Sequence, residues 1–303
     1  MRLGTRGSAL ALVQARWVAE RLGPEVEVVE ITTLGDRGVA INDKSRWVSE
    51  LERALLDGRI DVAVHSAKDV PTELPDGLEL VAIPERAEAR DVICGVAALA
   101  ELAPGARVGT SSLRRTAQVR AVRGDLEVVE VRGNVDTRLR KLAAGEVDAL
   151  VLAMAGLARL GLLDGTATPL EPSLLMPAPA QGVLAVECRT DDPDTAAQLR
   201  TLDHAPTRAT AIAERGFLAG LEAGCSTPVG ALAELSEETG RGPALRMSGV
   251  IAAPDGSSVI RAHATGGAGD GESTGRRLAH MLLEHGGTGL LNRTSHEQRL
   301  PCG

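Results

Sequence analysis

Two short segments of this chain carry residues that could do covalent chemistry. Gly224-Cys225-Ser226 presents a thiol in a turn-rich loop, where glycine frees the neighbouring backbone. The segment 65–71, His-Ser-Ala-Lys-Asp-Val-Pro, presents the carboxylate of Asp69 just past an apolar strand, with Lys68 beside it. A nucleophilic sulfur and a lone carboxylate together suggest a covalent reaction rather than simple binding.

The other cysteines point away from metal or disulfide chemistry. The chain has four cysteines and no Cys-x-x-Cys pair, which matches neither a disulfide framework nor a zinc site. Cys94 and Cys188 lie in strand-like runs and are expected to be buried core thiols. Cys302 belongs to the C-terminal tail. Cys225 is therefore the thiol in an unusual setting, and no metal site is predicted.

Three strand-to-helix junctions place small residues beside arginine. They are Arg6-Gly7-Ser8, the 109–115 segment Gly-Thr-Ser-Ser-Leu-Arg-Arg, and Arg132-Gly133-Asn134. Each offers free backbone N–H groups and the positive end of a helix dipole, with guanidinium groups that bind carboxylate or phosphate at two points. One such junction is equally well a capped helix with a solvated arginine, but three favour an anion site. No nucleotide-binding fingerprint is present, so carboxylate ligands match as well as phosphates.

Charge and composition support a specific polyanionic ligand. Basic and acidic side chains number 33 and 41, a net charge of −8, which argues against an indiscriminate binder of nucleic acid or anionic membranes. Residues 111–141 nevertheless contain eight basic and four acidic side chains. An acidic chain that concentrates arginine in one segment is expected to keep it for a polyanion.

The periodicity of apolar residues predicts an α/β fold. Ser8 caps a helix that ends at Gly23-Pro24, and two strands with a second helix between them follow by residue 65. The same strand-helix-strand pattern returns between residues 107 and 153. Two such units imply largely parallel sheets of the periplasmic-binding-protein type, with ligands at the carboxyl ends of the strands and a cleft between two domains.

The chain is predicted to form three domains. They comprise residues 1–85 with 178–202, residues 86–177, and residues 203–303 as a small α+β domain that carries the Cys225 loop. The proline-rich stretch 168–179 is expected to cross between domains. No apolar run approaches the length of a membrane span and no export signal is evident, so a cytoplasmic protein is expected.

Six segments, in the same order along the chain, resemble the porphobilinogen deaminase family, also called hydroxymethylbilane synthase. They are Thr-Arg-Gly-Ser-Ala-Leu-Ala-Leu-Val-Gln-Ala (5–15), His-Ser-Ala-Lys-Asp-Val-Pro (65–71), Gly-Thr-Ser-Ser-Leu-Arg-Arg (109–115), Arg-Gly-Asn-Val-Asp-Thr-Arg-Leu (132–139), Ala-Gln-Gly-Val-Leu-Ala-Val-Glu-Cys-Arg (180–189) and Gly-Cys-Ser-Thr-Pro-Val-Gly (224–230). The resemblance weakens beyond the last of these segments.

The resemblance implies a transferase of tetrapyrrole (haem) biosynthesis. The family joins four porphobilinogen molecules head to tail with loss of ammonia, and releases hydroxymethylbilane. It builds this chain on a dipyrromethane cofactor, held by a thioether to the cysteine that corresponds to Cys225. Each pyrrole carries an acetate and a propionate, so the growing chain is a polycarboxylate. The resemblance therefore implies a small-molecule substrate, no nucleic-acid or membrane partner, and a monomer.

The resemblance also assigns site residues by position. Those implied to bind the cofactor are Cys225, Lys68, Ser66, Arg114, Arg115, Thr110, Ser112 and Asp36, with Ser111 as a further neutral donor. Those implied to bind substrate are Arg6, Ser8, Arg132, Arg138, Arg159, Gln181 and Lys44. Gln181 would stand at the hinge end of the cleft.

Asp69 is the residue implied to carry the chemistry. Loss of ammonia from porphobilinogen leaves a positive charge on the pyrrole nitrogen, and a carboxylate near that N–H stabilises the charge as it develops. It can then help to move the proton lost when two rings couple. Without the other motifs, Asp69 would be interpreted as a turn residue ahead of Val-Pro. His65 is expected either to hydrogen-bond a site residue or to contact the ligand, with no role in proton transfer.

The chain departs from the family in one loop. Members carry a longer loop ending in Lys-x-Gly-Gly-Lys-Gly-Leu-Phe, whereas residues 35–47 here are fewer and retain one lysine counterpart, Lys44, with Trp47 in place of phenylalanine. This loop is thought to cover the cleft. The departure leaves two alternatives open: a degenerate paralogue, or a two-lobed anion-binding module, that binds pyrrole carboxylates without turning them over.

Overall fold

The computed structural model describes residues 1–33, 48–163, 165–221, 227–238 and 242–291. The chain divides into two compact units, one of Met1–Ala87 with Gln181–Arg208 and one of Glu88–Ala180 with Ala209–Gly303. Each unit is therefore built from two separate stretches of sequence.

The described residues form short strands and helices that alternate along most of the chain. The strands are β1 (Arg2–Thr5), β2 (Glu27–Glu30), β3 (Val62–Ser66), β4 (Leu78–Ala82), β5 (Asp91–Cys94), β6 (Arg107–Gly109), β7 (Glu127–Val129), β8 (Ala149–Ala153), β9 (Ala167–Leu170), β10 (Leu184–Arg189), β11 (Val229–Glu238), β12 (Gly242–Ala252) and β13 (Val259–Gly267). The α-helices are α1 (Ala9–Leu22), α2 (Ser49–Leu56), α3 (Leu113–Val122), α4 (Val135–Ala143), α5 (Met154–Arg159), α6 (Pro193–Leu199), α7 (Ala205–Gly220) and α8 (Gly271–Leu282).

Each unit contains a five-stranded sheet with one reversed strand. In the first unit the strand order is β2-β1-β3-β10-β4, and in the second it is β7-β6-β8-β5-β9. The pairings of β1 with β2 and β3, and of β6 with β7 and β8, are parallel. Strands β10 and β5 are antiparallel to both of their neighbours. The fourth strand is thus the reversed one in both sheets.

Aliphatic side chains hold the first sheet between helices on its two faces. Successive residues of a strand point to opposite faces. Val62 and Val64 of β3 accordingly pack in a cluster with Ala15 and Val18 of α1. Ala63, between them, packs in a separate cluster with residues of α2. Both faces of the sheet are therefore buried, as is usual for parallel strands.

Local sequence signals set the bounds of α1. The side chain of Ser8 accepts a hydrogen bond from the Ala11 N–H, so it caps the first turn. At the other end, Gly23 adopts φ 112°, which favours glycine, and its N–H donates to the Ala19 carbonyl. The helix predicted after Ser8 is therefore confirmed at both ends.

The second unit also contains an antiparallel three-stranded sheet, in the order β11-β12-β13. Helices α7 and α8 share an apolar cluster with it, in which Phe217 is fully buried. The predicted α/β class, with two sheet-and-helix units and a smaller C-terminal part of strands and helices, is confirmed.

The sheets are largely parallel, as expected, with one reversed strand in each, β10 and β5. One other expectation needs correction. The 168–179 stretch is not wholly a crossing segment, because residues 168–170 belong to β9. Pro169 is accommodated there because β9 lies at a sheet edge, the place in a sheet where proline is tolerated. Among the helices of the described ranges, none combines the length and the apolar character that crossing a bilayer requires.

Helices α7 and α8 approach each other closely at glycine. A Cβ on Gly275 would overlap the Ala213 carbonyl oxygen and lie 2.6 Å from the Phe217 nitrogen. These are backbone atoms, so no rotamer change can make room.

We expect Gly275→Ala to lower the free energy of unfolding by about 1–3 kcal/mol, the usual cost of overpacking. Gly269→Ala is the matched control, because a Cβ at that position meets no atom within 4 Å. Urea unfolding followed by circular dichroism measures both variants. Equal unfolding midpoints would contradict the close helix approach.

Candidate active site

In the first unit, the predicted site residues gather at one edge of the sheet. Arg6 and Ser8 follow β1, and Ser66 ends β3, which is the parallel neighbour of β1. Gln181 precedes β10, whose first residue, Leu184, is opposite Ser66. Because β10 is reversed, its start lies where β3 ends. The structure therefore brings these residues to the edge formed by the carboxyl ends of the parallel strands.

Asp69 lies in a tight turn that extends β3. Residues Ala67–Asp69 form one turn of 3-10 helix. The Ala67 N–H donates to the Val183 carbonyl at 3.0 Å, which continues the pairing with β10 beyond the strand. The Asp69 side chain is half-buried, and its carboxylate has no hydrogen-bond partner in the part of the chain that the structure describes. The carboxylate is thus available to a ligand.

Polar side chains hold the end of β3 from both faces of the sheet. Gln14 of α1 donates from Nε2 to the Ser66 hydroxyl at 3.1 Å. On the other face, the His65 ring nitrogen Nε2 lies 2.9 Å from Oε2 of Glu187, and both side chains are buried. Of the two roles expected for His65, the structure shows a hydrogen bond. Its partner, Glu187 of β10, was missed because a charge within an apolar strand gives no indication of what it pairs with.

Glu52 of α2 is a second buried carboxyl that the sequence did not single out. Its side chain is 7% exposed, and its Oε1 has no hydrogen-bond partner within the described ranges. Burial, reinforced by the charge of Glu187 and opposed by His65, raises the pKa of Glu52 to about 7. A substantial share of Glu52 is therefore protonated at neutral pH.

In the second unit, three neighbouring parallel strands bring the predicted anion-binding residues to one edge. Thr110, Ser111 and Ser112 follow β6, Arg132 follows β7, and α5 with Arg159 follows β8. Strand β6 pairs in parallel with both β7 and β8. Carboxyl ends of adjacent parallel strands are the usual place for ligands in α/β sheets.

The junctions of this edge are built as the sequence predicts. The Ser112 side chain accepts from the Arg115 N–H at the start of α3, and the Thr110 hydroxyl accepts from the Ser112 N–H at 3.2 Å. Gly133 has φ 117° and a Cβ there would lie 2.8 Å from Thr137, so glycine is required after Arg132.

Arg114 and Arg115 are buried and bound to one carboxylate, a pairing that no sequence motif indicated. Arg114 Nη1 lies 2.7 Å from Oδ2 of Asp91, while Arg115 donates to Oδ1 from Nε at 3.0 Å and Nη2 at 2.7 Å. Burial lowers the pKa of Arg114, and the neighbouring Arg115 lowers it further, while Asp91 opposes both. Their assignment to ligand binding stays a prediction; the structure shows that Asp91 orients both guanidinium groups.

The remaining arginines of this edge differ in burial. Arg132 is 79% exposed and its Nε lies 2.8 Å from Oε1 of Glu130. Burial lowers the pKa of Arg138 to about 10, with a contribution from Arg115, and burial alone lowers that of Arg159 to about 10. A bound carboxylate would favour their charged forms and would offset this cost.

Several predicted residues fall outside the described ranges. They are Asp36, Lys44, Trp47, Cys225 and Cys302. The expectation that Cys94 and Cys188 are buried strand thiols is confirmed. Burial, followed by the nearby Glu79 and Asp192 charges, raises the pKa of Cys188 to about 11, so its thiol stays protonated and unreactive.

The fold and these edges define an α/β protein with arginines at the strand ends of one sheet. Sequence models of one family match most of the chain: "Porphobilinogen deaminase, dipyromethane cofactor binding domain" over residues 1–197 and "Porphobilinogen deaminase, C-terminal domain" over residues 208–284. The chain belongs to the porphobilinogen deaminase family. The resemblance found in the sequence motifs is thereby confirmed.

Relatives that carry the name porphobilinogen deaminase match over nearly their whole length. The protein of Thermus thermophilus is 49% identical over 95% of this chain and 97% of its own. That of Pelotomaculum thermopropionicum is 45% identical over 98% of this chain and 97% of its own. Among solved structures, the methionine-binding protein MetQ aligns with a TM-score of 0.40 at 16% identity, over 67% of this chain and 89% of that one. Such a slight structural likeness supports no conclusion about function.

We expect Asp91→Asn to lower the free energy of unfolding by about 3–5 kcal/mol, because it leaves two buried guanidinium groups without their carboxylate. Asp125→Asn is the control, since Asp125 forms its ion pair with Arg123 at a more exposed place and should cost about 0–1 kcal/mol. Urea denaturation compares the two variants. A loss at Asp91 no larger than at Asp125 would contradict the role of Asp91 as their buried anchor.

Proposed function

We propose that this protein is a hydroxymethylbilane synthase, which joins four porphobilinogen molecules head to tail and releases ammonia at each addition. Membership of the porphobilinogen deaminase family, by matches over residues 1–197 and 208–284, carries the proposal. The site residues support it, because one sheet edge offers an available carboxylate and the other offers several arginines.

The carboxylate of Asp69 has the chemical character that deamination requires. Loss of ammonia leaves a cationic pyrrole, and a fixed anion close to the pyrrole N–H lowers the energy of the charge that develops. Asp69 can then help to move the proton that the attacking ring loses from carbon when the two rings couple. Its turn is pinned to β10 by the Ala67 N–H, so the carboxylate needs little reorganisation.

The arginine-bearing edge has the character that the substrate's carboxylates require. Arg132 and Arg138 can bind acetate and propionate groups at two points each, as guanidinium forks do. Thr110, Ser111 and Ser112 add neutral donors next to them. Several cations spread over adjacent strand ends could bind the successive rings of a growing polycarboxylate.

A dipyrromethane cofactor fits this donor set. Burial lowers the pKa values of Arg138 and Arg159, because it disfavours their charged forms. The carboxylates of a bound pyrrole would offset this free-energy cost of keeping both guanidinium groups charged. The cofactor would be held covalently by Cys225, with Lys68, Ser66, Arg114, Arg115, Thr110, Ser112 and Asp36 as the further candidate contacts. When bound, it supplies the ring position to which the first substrate is added.

Finer points of organisation belong to the same proposal. We take the three sheets as the cores of three domains, with limits at residues 1–85 plus 178–202, 86–177 and 203–303. We also take the protein as a cytoplasmic monomer that uses no nucleic acid. Light scattering of the purified protein tests the monomer directly.

The first test is of the cofactor. Purified protein should carry a mass increment of two pyrrole units, and Cys225→Ser should abolish it because the thioether can no longer form. Intact-mass spectrometry makes the measurement, with Cys302→Ser as the control that keeps the increment. An unmodified wild-type mass, from cells that make porphobilinogen, would remove the basis for turnover and favour a degenerate paralogue.

The second test is of Asp69. We expect Asp69→Asn to fold normally and to lose about 10²- to 10³-fold in turnover, the range for a group that stabilises developing charge. Asp76→Asn, an exposed aspartate in the next turn, should stay at the wild-type rate. Single-turnover consumption of porphobilinogen separates this step from product release. A loss below about fivefold would place the stabilising charge elsewhere.

A further inference from the structure

The first unit contains a cluster of three buried ionisable side chains that the proposed chemistry does not use. His65 of β3 and Glu187 of β10 share a 2.9 Å hydrogen bond. Glu52 is also buried and belongs to α2, the helix that packs on the Ala63 face of β3, which His65 shares because alternate residues of a strand point to one side. Burying charge costs several kcal/mol for each ion unless it is paired. A cluster of this kind therefore needs an explanation.

Charge balance within the cluster favours an extra proton on a carboxyl. The cluster contains two carboxyls and only one group able to carry a positive charge, so two ionised carboxyls would leave it with an excess of negative charge. Glu187 has His65 as its partner, whereas Glu52 has no cation within hydrogen-bonding distance among the described residues. The proton that makes the cluster neutral therefore belongs on Glu52, which agrees with its raised pKa.

Both carboxyls of the cluster have a buried oxygen without a hydrogen-bond partner among the described residues. These atoms are Oε1 of Glu52 and Oε1 of Glu187. A proton on Glu52 removes the charge from one of these two buried carboxyls, whose oxygen otherwise lies unpaired among the described residues.

Charged groups on the surrounding strands do not replace this proton. Arg189 of β10 donates to the carbonyls of Leu55 and Ile60, at 3.0 Å each. Arg2 of β1 is bound to Asp61. Glu79 of β4 would only add negative charge. The cluster is therefore balanced by its own proton.

The position of His65 in the sheet connects this cluster to the proposed reaction. His65 is followed directly by Ser66 and by the turn that carries Lys68 and Asp69. On the opposite face, Gln14 already holds Ser66. The bond from His65 to Glu187 is the matching restraint, so the turn is anchored from both sides.

We propose that Glu187 is a positioning residue that fixes the Lys68–Asp69 turn through His65, and that a proton on Glu52 keeps this buried cluster neutral. The inference about turnover rests on the proposed function; the inference about the proton does not.

The activity test is a double-substitution cycle. Glu187→Gln keeps the shape and removes the charge, and we expect kcat to fall by about tenfold with KM nearly unchanged, as misplacement of a reacting group produces. His65→Asn should give a similar loss, and the double variant should be no worse than either. Glu50→Gln, on the same helix as Glu52 but half-buried, is the control for loss of a carboxylate. Additive losses, or a wild-type kcat in Glu187→Gln, would overturn the positioning role.

The proton test needs no substrate. Since folding raises the pKa of Glu52 from 4.5 to about 7, the folded state holds a proton that the unfolded state releases in this window, and stability falls as the pH rises through it. As the pH rises from about 5 to about 8, the melting temperature of the wild type should therefore fall relative to that of Glu52→Gln. A gap that does not change with pH would overturn the proposal.

Infrared spectroscopy of the wild-type protein provides a measurement that does not depend on how a Glu187 variant folds. We expect the band of a protonated carboxyl at about pH 6 that disappears by about pH 8.5, while ordinary carboxyls are ionised throughout. The band should be missing from Glu52→Gln and present in Glu50→Gln. Its persistence in Glu52→Gln would overturn the assignment. If the wild type shows the band but no turnover, the proposed function fails and the cluster stands.

Discussion

A fully buried carboxylate on the reversed strand of each five-stranded sheet is the constraint on which both site edges depend. Asp91 occupies β5 and Glu187 occupies β10, and neither is exposed to solvent. An ionised carboxylate in such a place is tolerated only with close partners. Arg114 and Arg115 fill this role in one unit and His65 fills it in the other. These partners adjoin the carboxyl ends of parallel strands, so each pairing orients the residues at one of the two strand-end edges.

The two units share one sheet topology but carry opposite charges at their strand ends. Their sheets share one strand order and one reversed strand, yet the first edge offers the carboxylate of Asp69, whereas the second offers arginines on three adjacent strand ends. One topology therefore presents side chains of opposite charge at equivalent strand ends.

Two half-buried arginines of the second unit carry their charge at a cost in free energy. Burial lowers the pKa values of Arg138 and Arg159 to about 10, which means that the folded protein disfavours their charged forms. Sites that are arranged for a ligand commonly reduce the stability of the protein without that ligand. A polycarboxylate that occupied the edge would reverse this penalty, so stability and binding are linked through the same side chains.

The sequence by itself determined the local elements and the order of the motifs. Capping by Ser8, the stop at Gly23 and the burial of Cys188 follow from short-range signals, because a helix end or an apolar run is decided by neighbours along the chain. The sequence also indicated that the predicted site residues lie together at strand ends, because a parallel sheet brings those ends to one edge.

Only the tertiary structure decided which buried charges meet. Asp91 reaches Arg114 across 23 residues, and His65 reaches Glu187 across 122. Apolar periodicity reports that a position is buried and not what lies against it. The reversal of β5 and β10 was equally hidden, because a strand buried on both faces has the same pattern in either direction. The proton proposed for Glu52 also depends on the tertiary structure. The pKa of Glu52 is raised by burial and by the charge of Glu187, which only the fold brings near.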